Sequence, residues 1–251
     1  MQRFSELLAA SDAVEFARER LGFEPDEAQE AVLRSDARRL ILNCTRQWGK
    51  STLTAAKAVH RAWTEAGSTV LVTSPSERQS AELVRKARAF VSMLDVKPRG
   101  DGSNKCSLLL PNGSRIIGLP SDESKVRGFS SVSLLVIDEA ARAPEDLYKA
   151  MRPVLAVSGG DLWLMSTPYG RRGFFWDAWS RGGPGWTRVS VPATECARIP
   201  AEFLAEEREA HTEEWYRQEY LCEFVQEHES LIDRELVEAA LTDDFGPLWK
   251  E

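Results

Sequence analysis

Two stretches of this 251-residue sequence combine residue types suited to phosphate chemistry: N-C-T-R-Q-W-G-K-S-T at Asn43–Thr52 and L-L-V-I-D-E at Leu134–Glu139. A phosphate-binding loop curls consecutive backbone N–H groups round a phosphate at a helix N-terminus. A lysine then reaches the β- and γ-oxygens, and a hydroxyl binds Mg²⁺. Gly49, Lys50 and Ser51 supply those parts in order. The full pattern G-x-x-x-x-G-K-[ST] starts with a glycine, and Cys44 stands in its place. Cysteine lacks glycine's freedom at positive φ, so the turn has to enter differently. The candidate nucleotide-binding residues are Thr45, Arg46, Gln47, Trp48, Gly49, Lys50, Ser51 and Thr52.

Glycine-lysine-serine recurs by chance; the acidic pair makes the pattern specific. An apolar run ends abruptly in Asp138 and Glu139, 88 residues beyond Lys50, in the form of a Walker B strand. In that arrangement Asp138 and Ser51 hold the metal, and Glu139 orients and deprotonates the attacking water.

These groups need a scaffold that brings them to one edge. R-L-I-L-N-C-T reads as a short buried strand, and S-T-L-T-A-A-K-A-V-H-R-A-W-T-E-A-G has helical spacing and closes on Gly67. S-T-V-L-V-T-S predicts a second buried strand, followed by a helix over E-R-Q-S-A-E-L-V-R-K-A-R-A-F-V-S-M-L. Two β-type runs around Pro111, Asn112 and Gly113 predict a hairpin at a sheet edge. D-L-W-L-M-S-T-P predicts another strand, with Ser166 and Thr167 at its carboxyl end. Alternating strands and helices define the α/β class, with a mainly parallel sheet covered on both faces and ligands beyond the strands' carboxyl ends. Before the first strand, the N-terminal segment through Phe23 reads as an amphipathic helix, and F-E-P-D-E-A-Q-E-A-V-L as a second helix with Pro25 near its first turn.

The organisation expected is a core over residues 1–170, a small lid over 171–230, and a linker or truncated start of a nuclease domain over 231–251. Hydrophobic content of 43% and charged content of 28% suit a globular protein, and no segment reaches the roughly 20 apolar residues of a membrane span. That pattern, with no signal-peptide character at the start, places the chain in the cytoplasm. Four cysteines and three histidines are scattered without metal-ligand spacing, so free thiols are expected. The net charge of −7 is uneven: residues 195–251 carry 17 acidic against 5 basic side chains, and residues 1–194 carry 22 against 27. The first part can meet a polyanion more easily than the tail.

The ordered motifs resemble the ATPase domain of the large terminase subunit, the DNA-packaging motor of tailed bacteriophages, over about residues 20–230. Loops of that family commonly lack the first glycine and carry an arginine before G-K, as T-R-Q-W-G-K-S does. The resemblance implies a P-loop NTPase fold of the ASCE type that hydrolyses ATP with Mg²⁺ to translocate double-stranded viral DNA into a procapsid. It implies that Gln29 reads the adenine edge, that Arg46 contacts the γ-phosphate or couples it to the lid, and that Arg127, in K-V-R-G-F-S, acts on a neighbouring subunit's ATP. Ser166 and Thr167 match the coupling motif, whereas E-W-Y-R-Q-E-Y-L-C-E-F matches a segment whose aromatic residues pack the lid. The implied partners are the portal protein and a small terminase subunit, with a homo-pentamer on the portal, a monomer in isolation, and no membrane.

Arg85, Lys86, Arg88, Arg171 and Arg172 are the candidate DNA contacts. No nuclease activity is expected, because few acidic residues follow Glu229 and no strand scaffold holds them. Two other readings fit the same residues. One is a helicase-like DNA-remodelling ATPase; the other is a nucleotide-dependent assembly module that holds ATP without hydrolysis, a reading that Cys44 keeps open.

Overall fold

The computed structural model describes residues 12–121 and 128–226. Seven strands form one sheet in the order β3-β4-β2-β5-β6-β1-β7. They are β1 (Arg39–Cys44), β2 (Thr69–Ser74), β3 (Ser107–Leu109), β4 (Arg115–Pro120), β5 (Leu134–Asp138), β6 (Asp161–Ser166) and β7 (Thr187–Val191). Every neighbouring pair is parallel except β3 with β4, the hairpin expected at the edge, whose turn passes through Gly113 at φ 84°.

The central strands β2 and β5 are buried along their whole length, and β1 and β6 along all but their first residue, as a doubly covered parallel sheet requires. Their side chains alternate between two cores. Leu40, Leu42, Val70, Val72, Val136, Trp163 and Met165 face α1 (Ala13–Leu21), α2 (Glu27–Arg34), α3 (Lys50–Thr64) and α4 (Glu77–Ser92). Ile41, Leu71, Leu135, Ile137 and Leu164 face α5 (Glu145–Met151) and α6 (Gly173–Arg181). The period of two within each strand generates this division.

Because β7 pairs with β1 from Leu40↔Thr187 to Cys44↔Val191, the segment after residue 170 is not a separate body throughout. Its first half, α6 and β7, completes the core sheet. Among the described helices, α7 (Ala201–Ala210) and α8 (Glu213–Glu219) lie outside the sheet and its flanking helices, and Phe203, Trp215 and Tyr216 cluster there with Tyr220, which follows α8.

Close packing of α4 on the sheet depends on Gly118 in β4. A Cβ there would stand 2.9 Å from Val84 Cγ2 and 3.0 Å from the Ser80 carbonyl oxygen. We expect Gly118→Val to cost about 1–3 kcal/mol by forcing α4 off the sheet, measured as a lower urea midpoint with an unchanged m-value.

Candidate nucleotide site

The carboxyl ends of β1, β2, β5 and β6 share one edge, and the polar groups singled out in the sequence gather there. The loop between β1 and α3 makes its left-handed turns at Gln47, φ 66°, and Gly49, φ 99°. Cys44, still in strand β1, needs no positive φ, which explains why glycine is dispensable at that position. Its buried thiol is pushed up in pKa by desolvation and stays protonated, a packing group.

A non-glycine residue in the left-handed region costs about 1–2 kcal/mol, and the surroundings offset it. Trp48 is buried, and its carbonyl accepts hydrogen bonds from Gln29 Nε2 at 2.9 Å and from the Arg198 guanidinium. Gln29 also closes a capping box with Asp26 at the start of α2, and Arg198 donates to Asp26 Oδ2 at 2.9 Å. Gln29 is thus a buried prop of the loop and not an exposed helical side chain.

Lys50 Nζ donates to the carbonyls of Cys44 and Thr45 at 2.8 and 2.9 Å, folding the ammonium across the loop. Gly49 gives α3 no side-chain cap, and the first turn has no carboxylate. The positive end of the helix dipole is therefore free for an anion.

Asp138 ends β5 and is buried; its Oδ1 accepts the Glu139 backbone N–H at 3.0 Å. Desolvation first, and then the charge of Glu139, push its pKa up to about 6, with Lys50 and Lys86 opposing the rise. A buried carboxylate of raised pKa, within the influence of the Glu139 charge, is a group that a divalent cation would relieve, and Ser51 follows Lys50 at the start of α3, so the residue types fit Mg²⁺. Glu139 follows in the left-handed region at φ 52°, the kind of strain that recurs at functional sites.

Glu219, which the sequence did not single out, joins these parts. Its buried carboxylate accepts from Arg46 Nε at 2.8 Å and from Arg142 Nη2 at 3.2 Å. Arg142 in turn lies 3.6 Å from Glu139 Oε2 and over the Tyr169 ring. Backbone contacts reinforce the junction: Thr45 Oγ1 donates to the Glu219 carbonyl at 3.2 Å, and Asn43 Nδ2 to the Cys222 carbonyl at 2.7 Å. The segment expected to serve packing alone thus also delivers a carboxylate to the phosphate loop. In the sequence it is one acid among many in an acidic helical stretch, with no signal of burial.

Ser166 and Thr167 are fully buried at the end of β6, and their hydroxyls have no partner among the described residues. Ser166 lies in register with Asn43 of β1, next to the loop. The proposed DNA contacts scatter. Arg85 is engaged with Glu82, and Arg88 donates to the carbonyls of Pro98 and Ser107. Lys86 turns inward to Thr52 Oγ1 at 3.2 Å, beside the phosphate loop. Arg171 donates to the Phe224 carbonyl, and Arg172 stacks on Tyr169. Arg127 lies outside the described residues.

A family model for the terminase large subunit, T4-like virus type, N-terminal part, matches residues 41–239. The chain belongs to this family. The large terminase subunit of Thermus phage G20c is 26% identical over 251 aligned residues, covering 85% of this chain and 51% of that protein. The chain thus spans about half the length of the curated relatives it matches. Among solved structures, the large terminase ATPase domain of Thermus phage P74-26 superposes with a TM-score of 0.71 at 24% identity, covering 82% of this chain and 96% of that one. The large terminase of the thermophilic bacteriophage D6E, solved with ADP, gives 0.64 at 12% identity, covering 86% and 53%. These solved structures share the fold of this chain, and the family model places it among terminase large subunits.

The Asp138 pKa of about 6 exceeds its ordinary 3.8, so between those values the native state binds more protons than the unfolded chain. The contribution of Asp138 to stability therefore falls as pH rises from about 4 to about 6, and its burial cost is fully present above that. In chelator, Asp138→Asn is expected to raise the melting temperature at pH 7.5 by about 2 °C or more and to match the parent protein at pH 4. Melting curves at the two pH values check this.

Proposed function

We propose that the chain is the ATP-hydrolysing part of a motor that drives double-stranded DNA into a viral procapsid. The observation that carries the reading is the convergence of Lys50, Asp138 and Glu139 on one sheet edge, joined to α8 through Glu219. Family membership and the nucleotide-bound D6E terminase support it.

In this reading a triphosphate takes the place of the loop carbonyls as partner of Lys50, while the N–H groups at the start of α3 cradle it. Ser51 and Asp138 would hold Mg²⁺, and the metal would supply charge neutralisation at the phosphate oxygens. Glu139 accepts the proton of the attacking water, with the Arg142 guanidinium 3.6 Å from its carboxylate. Arg46, 65% exposed and tethered among the described residues by its bond to Glu219, can exchange that partner for the γ-phosphate. Such an exchange transmits the nucleotide state to α8. Ser166 and Thr167 report on the γ-phosphate from β6, and Gln29 meets the adenine by releasing the Trp48 carbonyl. Arg127 serves a neighbouring subunit in a homo-pentamer docked on the portal protein and assisted by a small terminase subunit in the host cytoplasm. The isolated chain is a monomer.

Steady-state phosphate release over a range of protein concentrations, with and without duplex DNA, tests the proposal. Activity per molecule that is independent of concentration fits a monomeric chain, activity that rises with concentration replaces that state with catalysis between subunits, and no release above a Lys50→Ala control removes the ATPase reading. Glu139→Ala should retain ATP binding and lose at least about 100-fold in turnover; unchanged turnover would exclude Glu139 as the base.

A further inference from the structure

Four cations, Arg38, Arg39, Lys149 and Arg152, line a cleft of about 390 Å³ at the amino-terminal edge of the sheet, the opposite end of the strands from the phosphate loop. Two packed elements present them. Arg38 and Arg39 lie at the start of β1, which is fixed by the Arg39↔Leu162 register with β6, and Lys149 and Arg152 sit at the end of α5. Among the described residues no carboxylate lines the cleft. Gly159, at φ 60°, gives Arg38 room, since a Cβ there would stand 3.5 Å from its Nη1.

The state of these side chains sets them apart from other arginines of the molecule. Arg18, Arg34, Arg61, Arg85, Arg208 and Arg217 are each neutralised by a carboxylate within ion-pair distance. None of the four cleft cations has such a partner among the described residues. Arg152 meets Tyr148, with its guanidinium 5.7 Å from the ring centroid and 3.4 Å from the hydroxyl. All four are exposed. Like charges converging on one cleft without counter-ions raise the local potential, and an anion bound there relieves their repulsion.

We propose that this cleft holds the phosphodiester backbone of double-stranded DNA. Three of the four cations are arginines, whose planar fork matches phosphate bidentately. A duplex offers a negative charge for roughly every 1.7 Å of axis, so one backbone can satisfy several cations at once. The helix α4, where basic residues cluster in the sequence, is less available: Arg85 is paired, Arg88 is held by carbonyls and Lys86 faces Thr52. An acidic protein segment is the competing occupant, and the test separates the two.

Binding of the whole chain to a short blunt duplex, followed by fluorescence anisotropy without nucleotide across a salt series, decides the matter independently of ATP hydrolysis. Replacing all four cations with alanine should lower affinity at least about tenfold and make the log–log salt slope shallower by about 3 to 4. An Arg85→Ala control and a variant with Arg38→Lys, Arg39→Lys and Arg152→Lys should both keep the parent slope. Phosphate release without DNA should be unchanged in every variant, because none of these residues lies at the nucleotide site. The proposal is overturned if the parent chain does not bind the duplex, or if the alanine variant binds it with the parent slope. It is also overturned if polyglutamate binds the parent through the same four residues more tightly than the duplex, or if millimolar inorganic phosphate displaces the duplex from them.

Discussion

The buried carboxylate of Glu219 is the point on which the site's geometry depends. It lies 173 residues from Arg46 and 77 from Arg142 in sequence, yet bonds both guanidinium groups and so fixes α8 against the phosphate loop and the end of β5. A carboxylate that is only 6% exposed would be costly alone. Two cationic partners compensate for the lost hydration, and removing either leaves the other arrangement strained. The same junction is supported by the backbone of Glu219 and Cys222, which accept from Thr45 and Asn43. The end of β1 and the end of α8 are thus joined by backbone as well as side-chain hydrogen bonds.

From this junction the consequences run in two directions. Toward the nucleotide, the loop is held by Gln29, Arg198 and the ammonium of Lys50, so its left-handed turns at Gln47 and Gly49 persist without a glycine at its entrance. Toward the carboxylates, Arg142 relates Glu139 to the same anchor, while burial keeps Asp138 ready for a cation. Chemistry and movement thus share one set of ion pairs.

Much of the core was legible in the sequence because it rests on local pattern. Apolar runs of four to six residues gave β1, β2, β5 and β6, and the turn at Pro111–Gly113 gave the edge hairpin. Asp138 and Glu139 were visible because two acids end an apolar run. What remained hidden depends on contacts between distant segments. β7 joins the main sheet through pairing with β1, which no local pattern in T-R-V-S-V specifies. Glu219 and Arg198 look like ordinary surface charges until the fold places one under Arg46 and the other on the Trp48 carbonyl. Lys86 sits in a basic helical run that suggests a polyanion, and only the packing of α4 turns it toward Thr52.

The central claim is that the loop from Cys44 to Ser51 is a working triphosphate site although it lacks the leading glycine. Calorimetric titration of the chain with ATP and with AMP in magnesium, beside Lys50→Ala, tests this most directly. The account predicts saturable ATP binding that weakens at least about tenfold without the lysine and a much weaker response to AMP. ATP binding that is absent, or that is the same in Lys50→Ala as in the parent chain, would contradict it.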